Sequence, residues 1–161
     1  MNYKNFGSYT LIDHINSGGM AEVFKACRYQ KNGEITFAAV KKILPDFAQD
    51  SKFLEMFNYE ARIMKKLKHE HIVQIIESDE EEGEHYISME YISGKDLLSL
   101  RHVLKDRDMF LDFDLSAYII ASIAKALNYA HGMCDEQGKH LEIIHRDISP
   151  PNILIIYTRS L

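Results

Sequence analysis

Cysteine is scarce in this sequence, with only Cys27 and Cys134 among 161 residues. The two lie far apart and match none of the spacings that hold a metal ion. A small secreted scaffold stabilised by several disulfides is therefore excluded, and both residues are expected to be ordinary reduced thiols. The sequence predicts neither a disulfide framework nor a cysteine metal site.

Excess positive charge and long apolar runs are also missing. The formal net charge is -5, so no overall basic field would attract nucleic acid or a membrane surface. The longest apolar-rich stretch, from Leu115 to Ala130, is interrupted by residues such as Ser116 and Lys125 and does not make a membrane span. The N-terminus has no basic start followed by an apolar segment. These features predict a cytoplasmic location, with no nucleic acid partner and no membrane segment.

The first half of the chain is rich in short stretches of alternating apolar and polar residues, which predict strands. One helix interrupts them at about Ser51 to Leu67, with Asp50 or Ser51 as its cap. A polar turn at Asp79 to Glu84 joins the last two strands. The predicted strands are Tyr9 to Ile12, Glu22 to Ala26, Thr36 to Ile43, Ile72 to Glu77 and His85 to Tyr91.

The second half is mostly helical in this interpretation. Residues 92–95 form a linker, and helices are predicted over about Asp96 to Leu104 and Asp114 to His131. Two short strands are predicted at Leu141 to Ile144 and Ile153 to Tyr157. The result is a strand-rich lobe, a linker and the start of a helical lobe, and small ligands favour clefts between such lobes.

Two features of the strand-rich part are suited to binding phosphate. The loop from Asn16 to Ala21 contains Gly18 and Gly19, whose backbone N–H groups can approach phosphate oxygens without an intervening side chain. An ordinary hairpin turn would carry the same residues. Lys41 lies on a strand of small and apolar residues, where it either faces an anion or is solvated at the strand end. Lys42 beside it is predicted to be solvated.

Glu60, on the predicted helix, lies close to the apolar face that Ala61 and Met64 help to form. This position would allow an ion pair with Lys41. The same helix carries several other charged residues, so an ordinary surface glutamate is the alternative.

The segment from His145 to Asn152 carries the strongest chemical pattern in the sequence. Asp147 is followed by a proline-stiffened loop that ends at Asn152. An aspartate in this arrangement can accept or orient the proton of a substrate hydroxyl, and the asparagine oxygen can bind Mg²⁺. Because the whole run of residues must match, a purely structural explanation is a poor one.

These motifs, in this order, resemble those of the eukaryotic-like protein kinase family, and their residues are similar to those of its bacterial Ser/Thr branch. The resemblance extends from Tyr9 to Tyr157. It rests on the glycine loop, Ala39-Val40-Lys41, Glu60 with the following His69 to Val73, Met89 to Ile92, and His145 to Asn152. It implies an α+β, two-lobed kinase fold, with the N-lobe at about 1–91, the linker at 92–95 and the beginning of the C-lobe at 96–161.

The resemblance also implies site roles, with ATP and Mg²⁺ as cofactors and a protein carrying Ser or Thr as substrate. Asp147 would act on the substrate hydroxyl and Asn152 would bind the metal. Lys41 would hold the α- and β-phosphates and would be oriented by Glu60. The remaining residues would bind the nucleotide: Ile15, Val23, Ala39 and Leu154 around the adenine, Met89 at the back of the pocket, the Glu90 carbonyl and Ile92 amide at the adenine edge, and Gly18 and Gly19 at the phosphates.

The sequence departs from the family pattern in three places. Asn16 and Ala21 replace two glycines of the family's loop, and Ser149 replaces a lysine that touches the γ-phosphate. The 161 residues also contain no Asp-Phe-Gly segment, which in the family supplies the main Mg²⁺ ligand. A chain truncated before that segment is expected to bind ATP weakly and to transfer no phosphate.

Two interpretations therefore stand side by side. One is ATP-dependent phosphoryl transfer to Ser or Thr of protein substrates, by a kinase whose front part is this chain. The other is a non-catalytic, pseudokinase-like fragment that binds a nucleotide or a partner. The intact Lys41, Glu60, Asp147 and Asn152 favour the first, and the absent metal segment favours the second. In either case the apolar helix at Asp114 to His131 is expected to leave an open face for self-association.

Overall fold

The structure is a computed structural model, and it describes residues 3–156. The chain divides into two compact units. The first runs to Lys68 and resumes from Val73 to Tyr91, and the second comprises His69–Ile72 and the chain from Ile92 onward. Among the described residues, no helix combines the length and apolar character needed to cross a membrane.

The first unit contains a six-stranded antiparallel sheet in the order β1-β2-β3-β4-β6-β5. The five predicted strands are confirmed, although most are longer or shifted, and β1 was not predicted. The strands are β1 Lys4–Phe6, β2 Tyr9–Ser17, β3 Ala21–Tyr29, β4 Ile35–Ile43, β5 Ile75–Glu81 and β6 Glu84–Glu90.

The prediction of a polar turn over Asp79 to Glu84 is mostly wrong. Only Glu82 and Gly83 form the connection, and both have positive φ, at 53° and 80°. Two residues with positive φ match the twist of a tight hairpin, so the acidic residues on either side can pair as strands. The register confirms this, because Asp79 lies opposite Tyr86 and Glu81 opposite Glu84.

Successive side chains of the sheet point to opposite faces, and each face has its own core. On one face the sheet packs on itself, and Phe6 and Tyr9 contact Tyr86 edge to face, with ring centroids 5.2 and 6.2 Å apart. On the other face lies the helix α1, Ser51–Lys66. Its Phe57 and Ala61 are buried with three sheet residues, Ile43, Ile75 and Ile87.

The predicted cap of α1 is confirmed in its first alternative. The Asp50 side chain accepts hydrogen bonds from the backbone N–H groups of Lys52 and Phe53, at 3.0 and 3.3 Å. These two donors have no partner within the helix, so the carboxylate fixes where the helix begins. The start of α1 is thus set by one residue that the sequence identifies.

Lys42 was predicted to be solvated, and this prediction is wrong. Only 8% of the residue is exposed, and its ammonium forms an ion pair with Glu84 on β6. The same ammonium lies 4.5 Å from the centroid of the Phe6 ring. Because Lys42 points to the opposite face from Lys41, its aliphatic stem packs into the sheet core while its charge is neutralised.

The second unit contains two helices, α2 Leu97–Lys105 and α3 Phe113–His131, and a two-stranded antiparallel sheet. The strands of that sheet are β7 Gly94–Asp96 and β8 Leu154–Ile156, paired with Gly94 opposite Ile156. A 3-10 turn at Pro150–Asn152 precedes β8. Both predicted helices are confirmed to within a residue, and Asp96 is the N-cap of α2. The last predicted strand is confirmed for Leu154–Ile156, while Tyr157 lies outside the described residues.

One other prediction for this unit is wrong, because residues Leu141 to Ile144 form no strand. In that region the described structure has one backbone bond from Leu141 N–H to the Met133 carbonyl, and a neighbouring bridge between Cys134 and His140. Glu142 also has a φ of 52°, which interrupts an extended run and is incompatible with a regular strand. In the predicted linker at 92–95, Gly94 and Lys95 pair with β8.

Candidate active site

The glycine loop is shorter than the sequence indicates. Asn16 belongs to β2 and Ala21 begins β3, so the connection contains only Gly18, Gly19 and Met20. The Gly18 N–H donates to the Ala21 carbonyl at 2.8 Å, which closes the turn. A Cβ added at Gly19 would meet nothing within 4 Å, so packing inside the chain does not require this glycine. The backbone at Gly19 is open to a ligand.

Four of the predicted nucleotide-site residues lie side by side on one face of the first sheet. Val23 on β3 is directly opposite Lys41 on β4, and Ala39 on β4 is directly opposite Met89 on β6. Since Ala39 and Lys41 are two residues apart on one strand, all four share a face. The register therefore places one cation beside three small or apolar side chains.

Ile15 and Glu90 belong to the same sheet but lie nearer its margins. Ile15 on β2 is half exposed. Glu90 ends β6, where its backbone N–H donates to the Gln74 carbonyl at 3.0 Å and its carboxylate accepts from the Gln74 N–H at 2.7 Å. This double contact fixes the last residue of β6 just before the first unit ends at Tyr91.

Lys41 and Glu60 are not brought together by the structure. Among residues 3–156 no ion pair links them, and Glu60 is exposed. The Lys41 ammonium instead lies 5.8 Å from the centroid of the Phe57 ring, one turn before Glu60 on α1. The cation thus faces α1 without a carboxylate, and the orienting role of Glu60 stays a prediction.

The loop around Asp147, in the second unit, is tightly organised by hydrogen bonds. The Asp147 backbone N–H donates to His145 Nδ1 at 3.2 Å. Between them Arg146 has a φ of 64°, in the left-handed region that a residue with a Cβ rarely occupies. Such backbone strain costs about 1–3 kcal/mol and is found mainly at functional sites. Asp147 itself is exposed.

Both carboxylate oxygens of Asp147 are held by side chains of its own loop. Ser149 Oγ donates to Asp147 Oδ1 at 3.0 Å, and Asn152 Nδ2 donates to Asp147 Oδ2 at 2.7 Å. The Asn152 amide nitrogen also reaches the Asp147 carbonyl at 3.1 Å. Because all these acceptors are oxygens, the amide nitrogen must face Asp147 and its oxygen must face away.

The Asn152 carbonyl oxygen is consequently available as a ligand. It accepts no hydrogen bond from the residues that the structure describes, and the residue is exposed. An amide oxygen and a carboxylate are hard donors of the kind Mg²⁺ prefers. No group of three or more His, Cys, Asp or Glu side chains suited to a metal occurs in the described part of the chain. The Asn152 oxygen and the neighbouring Asp147 carboxylate are therefore donors of a kind that fits Mg²⁺.

Ile92 and Leu154, the two remaining predicted residues, belong to the second unit. Ile92 is partly buried just before β7, and Leu154 is half exposed opposite Asp96 in the β7–β8 pair. The contact that sequence reasoning missed is the one between Ser149 and Asp147. The sequence marks Ser149 only as a departure from a pattern, and its hydrogen bond to Asp147 becomes visible only in the folded loop.

Comparison with known proteins decides the family. The protein kinase domain family matches residues 9–161. The chain belongs to this family. Among curated kinases, it is 35% identical over 152 residues to the tyrosine-protein kinase MasK of Myxococcus xanthus and 32% identical over 153 residues to the serine/threonine-protein kinase PknF of Mycobacterium tuberculosis. Each comparison covers 94% of this chain, but only 24% of MasK and 29% of PknF.

Solved kinase structures give the same answer for the fold. The PknI kinase domain of Mycobacterium tuberculosis matches with a TM-score of 0.72 and 28% identity, covering 97% of this chain and 57% of that domain. The α+β, two-lobed kinase fold is thus confirmed, with an N-lobe of antiparallel sheet plus one helix and the beginning of the helical C-lobe. The exact lobe and linker boundaries drawn from the sequence stay predictions.

Proposed function

We propose that this kinase chain acts in ATP-dependent phosphoryl transfer to Ser or Thr side chains of proteins. The observation that carries the proposal is the Asp147 loop, in which an exposed carboxylate is held by two neighbouring side chains. In this role Asp147 orients the acceptor hydroxyl and takes its proton, while the Asn152 oxygen holds Mg²⁺. The metal would neutralise charge on the transferred phosphoryl group.

The proposed nucleotide site consists mainly of residues of the first unit. Lys41 would bind the α- and β-phosphates, because it is a cation without a carboxylate partner beside small side chains. Gly19 would admit the phosphates through its open backbone, while Gly18, whose N–H is bonded to the Ala21 carbonyl, keeps the phosphate-binding role that the resemblance gives it. The apolar residues of the sheet face would contact adenine: Ile15, Val23, Ala39 and Met89, with the Glu90 carbonyl at the adenine edge. Ile92 and Leu154 keep the adenine-binding roles that the resemblance gives them.

Tyrosine is the second candidate for the acceptor. One relative is named a tyrosine-protein kinase, and it is 35% identical over 94% of this chain. Other relatives of similar identity are named serine/threonine-protein kinases. We favour Ser and Thr because several relatives with that name match over the same region.

For the 161-residue chain by itself we propose weak nucleotide binding without measurable transfer. No Asp-Phe-Gly segment occurs in these residues, so a main metal ligand of the reaction is not supplied by this chain. Losing such a ligand lowers the rate by a factor on the order of 10³ or more. A non-catalytic role of these 161 residues in binding a nucleotide or a partner is the alternative.

Location and assembly complete the proposal. Both cysteines are free thiols, which supports a reducing compartment such as the cytoplasm.

Self-association through α3 is supported by its exposed apolar side chains, of which Phe113 is 81% and Ile120 67% exposed. Apolar surface of this kind is usually covered by another protein surface.

The test is calorimetric titration of the 161-residue chain with Mg²⁺ and ATP, followed by a transfer assay on a generic acceptor protein. We expect weak binding that Lys41→Met reduces about tenfold or more, since a hydrogen bond to a charged group contributes about 1.5–3 kcal/mol. Lys52→Met, at an exposed lysine on α1, is the matched control and should bind like wild type.

Equal affinity in the wild type and the Lys41→Met chain would overturn the nucleotide assignment. Transfer that Asp147→Asn abolishes would contradict the proposed inactivity of this chain while supporting its catalytic chemistry. Identification of the phosphorylated amino acid would then decide between Ser or Thr and Tyr as acceptor.

A further inference from the structure

Ser149 takes part in a closed ring of hydrogen bonds with the two residues proposed for catalysis. Its Oγ donates to Asp147 Oδ1 at 3.0 Å and accepts from Asn152 Nδ2 at 3.3 Å. Asn152 Nδ2 completes the ring by donating to Asp147 Oδ2 at 2.7 Å. Each of the three side chains therefore contacts the other two, in a part of the chain that is exposed or only partly buried.

The local sequence explains why the Ser149 hydroxyl is available for this contact. Ser149 is the N-cap of the 3-10 turn at Pro150–Asn152, and its backbone is extended, with φ -140° and ψ 155°. A serine at an N-cap ordinarily accepts from the backbone N–H groups of the first turn. Here the first two positions are Pro150 and Pro151, which have no N–H, and the side chain makes no capping bond.

The third position of the turn is also satisfied without the Ser149 side chain. The Asn152 N–H donates to the Ser149 carbonyl at 2.9 Å. No backbone donor of the turn thus competes for the hydroxyl. The residue before a proline is further restricted to the extended region, which holds Ser149 in the conformation that directs Oγ to Asp147.

The ring has a mechanical consequence for Asp147. An exposed aspartate rotates freely about its side-chain torsions, and a proton acceptor must be held close to its productive geometry. With one oxygen bonded to Ser149 and the other to Asn152, rotation of the carboxylate would break two hydrogen bonds. The same ring fixes the Asn152 amide, so that its carbonyl oxygen stays turned away from Asp147.

We propose that Ser149 is a positioning residue that fixes the Asp147 carboxylate and the Asn152 amide through its hydroxyl group. It adds no charge to the loop, in contrast to a lysine at this position, and acts only by hydrogen bonding. The catalytic meaning of this role rests on the proposed function. The positioning itself does not, because it is a property of the chain without nucleotide.

The experiment is NMR of the labelled 161-residue chain without nucleotide, as wild type, Ser149→Ala and Ser149→Thr. Two signals are followed: the side-chain amide of Asn152, by shift and ¹⁵N relaxation, and the carboxylate carbon of Asp147, by shift. In Ser149→Ala both signals should move and the Asn152 amide should gain fast motion. Ser149→Thr, which keeps the hydroxyl, should restore both. Ser122→Ala on α3 is the matched control and should leave both unchanged.

The Asn152 backbone amide reports on the 3-10 turn and separates positioning from a general structural effect. If the chemical shift of this backbone amide is unchanged in Ser149→Ala while the side-chain signals move, Ser149 acts through its hydroxyl. Side-chain signals that are the same in Ser149→Ala and wild type would overturn the proposal, as would equal movement of the backbone amide. Since no nucleotide is present, failure of ATP binding elsewhere would not affect either result.

Discussion

Two tyrosine hydroxyls are buried in the sheet of the first unit and make defined hydrogen bonds. Tyr9 donates to Ser88 Oγ at 2.9 Å, and Tyr86 donates to Glu77 Oε1 at 3.2 Å. Arg28 lies 3.6 Å from the other oxygen of Glu77. Burial raises the pKa of Tyr86 well above its ordinary value of 10.0, and the negative charge of Glu77 raises it further. Burial likewise raises the pKa of Tyr9.

These shifts predict a loss of stability at alkaline pH. A tyrosine whose pKa is higher in the folded state stabilises the fold fully below the unfolded pKa, and that contribution is lost as pH rises through the folded one. The free energy of unfolding should therefore begin to fall above about pH 10. Thermal unfolding at a series of pH values from about 8 to about 11 measures this fall in stability. Tyr86→Phe should flatten the fall, whereas Tyr29→Phe, at an exposed position, should not.

Single residues differ in how far the sequence predicts them. Asp147 and Asn152 could be selected because their spacing fits one chemistry, and the structure places them in contact. The burial of Lys42 could not be predicted in this way. Nothing in the local pattern of a strand end indicates that its ammonium pairs with Glu84, more than forty residues away in sequence. Contacts between distant strands depend on register, which the local sequence does not specify.

At the scale of elements, α1 was predictable and β7 was not. The helix has an apolar stripe of helical period and a cap at its first turn, and both signals are local. The three residues of β7 have no such signal, since Gly94 is typical of a loop. Glycine is needed at position 94 for a steric reason, because a Cβ there would collide with the carbonyl oxygen of Ile155 on the paired strand.

Gly94→Ala should therefore destabilise the second unit. We expect a loss of about 2 kcal/mol, because the methyl group must displace the backbone of β8. Denaturant unfolding followed by circular dichroism measures the loss. Gly19→Ala is the matched control, because a Cβ there meets nothing within 4 Å and its φ is not positive, so stability should be nearly unchanged. Equal stability of the two variants would contradict this account of β7.

At the scale of the whole molecule, the exposed apolar surface of the second unit supports the proposed self-association. Phe110, just before α3, is 90% exposed, and Ile120 on α3 is 67% exposed. Side chains of this size in water favour association of two copies, because each loses contact with water when it is covered. The sequence predicted this open face from the apolar character of the helix, but not which residues remain uncovered.

Sedimentation velocity should show that the wild-type chain associates as its concentration rises. Ile120→Asp should keep it monomeric, since a charge on the covered surface would be desolvated without a partner. Asn128→Asp, at an exposed polar position of the same helix, adds the same charge and should associate like wild type. A wild-type chain that sediments as one monomeric species at every concentration would rule out self-association through α3.

The pairing of β7 with β8 also bears on the order of folding. The two strands stand at opposite ends of the second unit's continuous sequence, with α2 and α3 between them. Closing so long a loop has an entropic cost that local helix formation does not, so the strands should meet late, after the rate-limiting barrier has been crossed. In stopped-flow experiments the Gly94→Ala chain should then refold about as fast as wild type and unfold faster. A chain emerging from the ribosome would have to wait for Ile156 before this part of the fold can close.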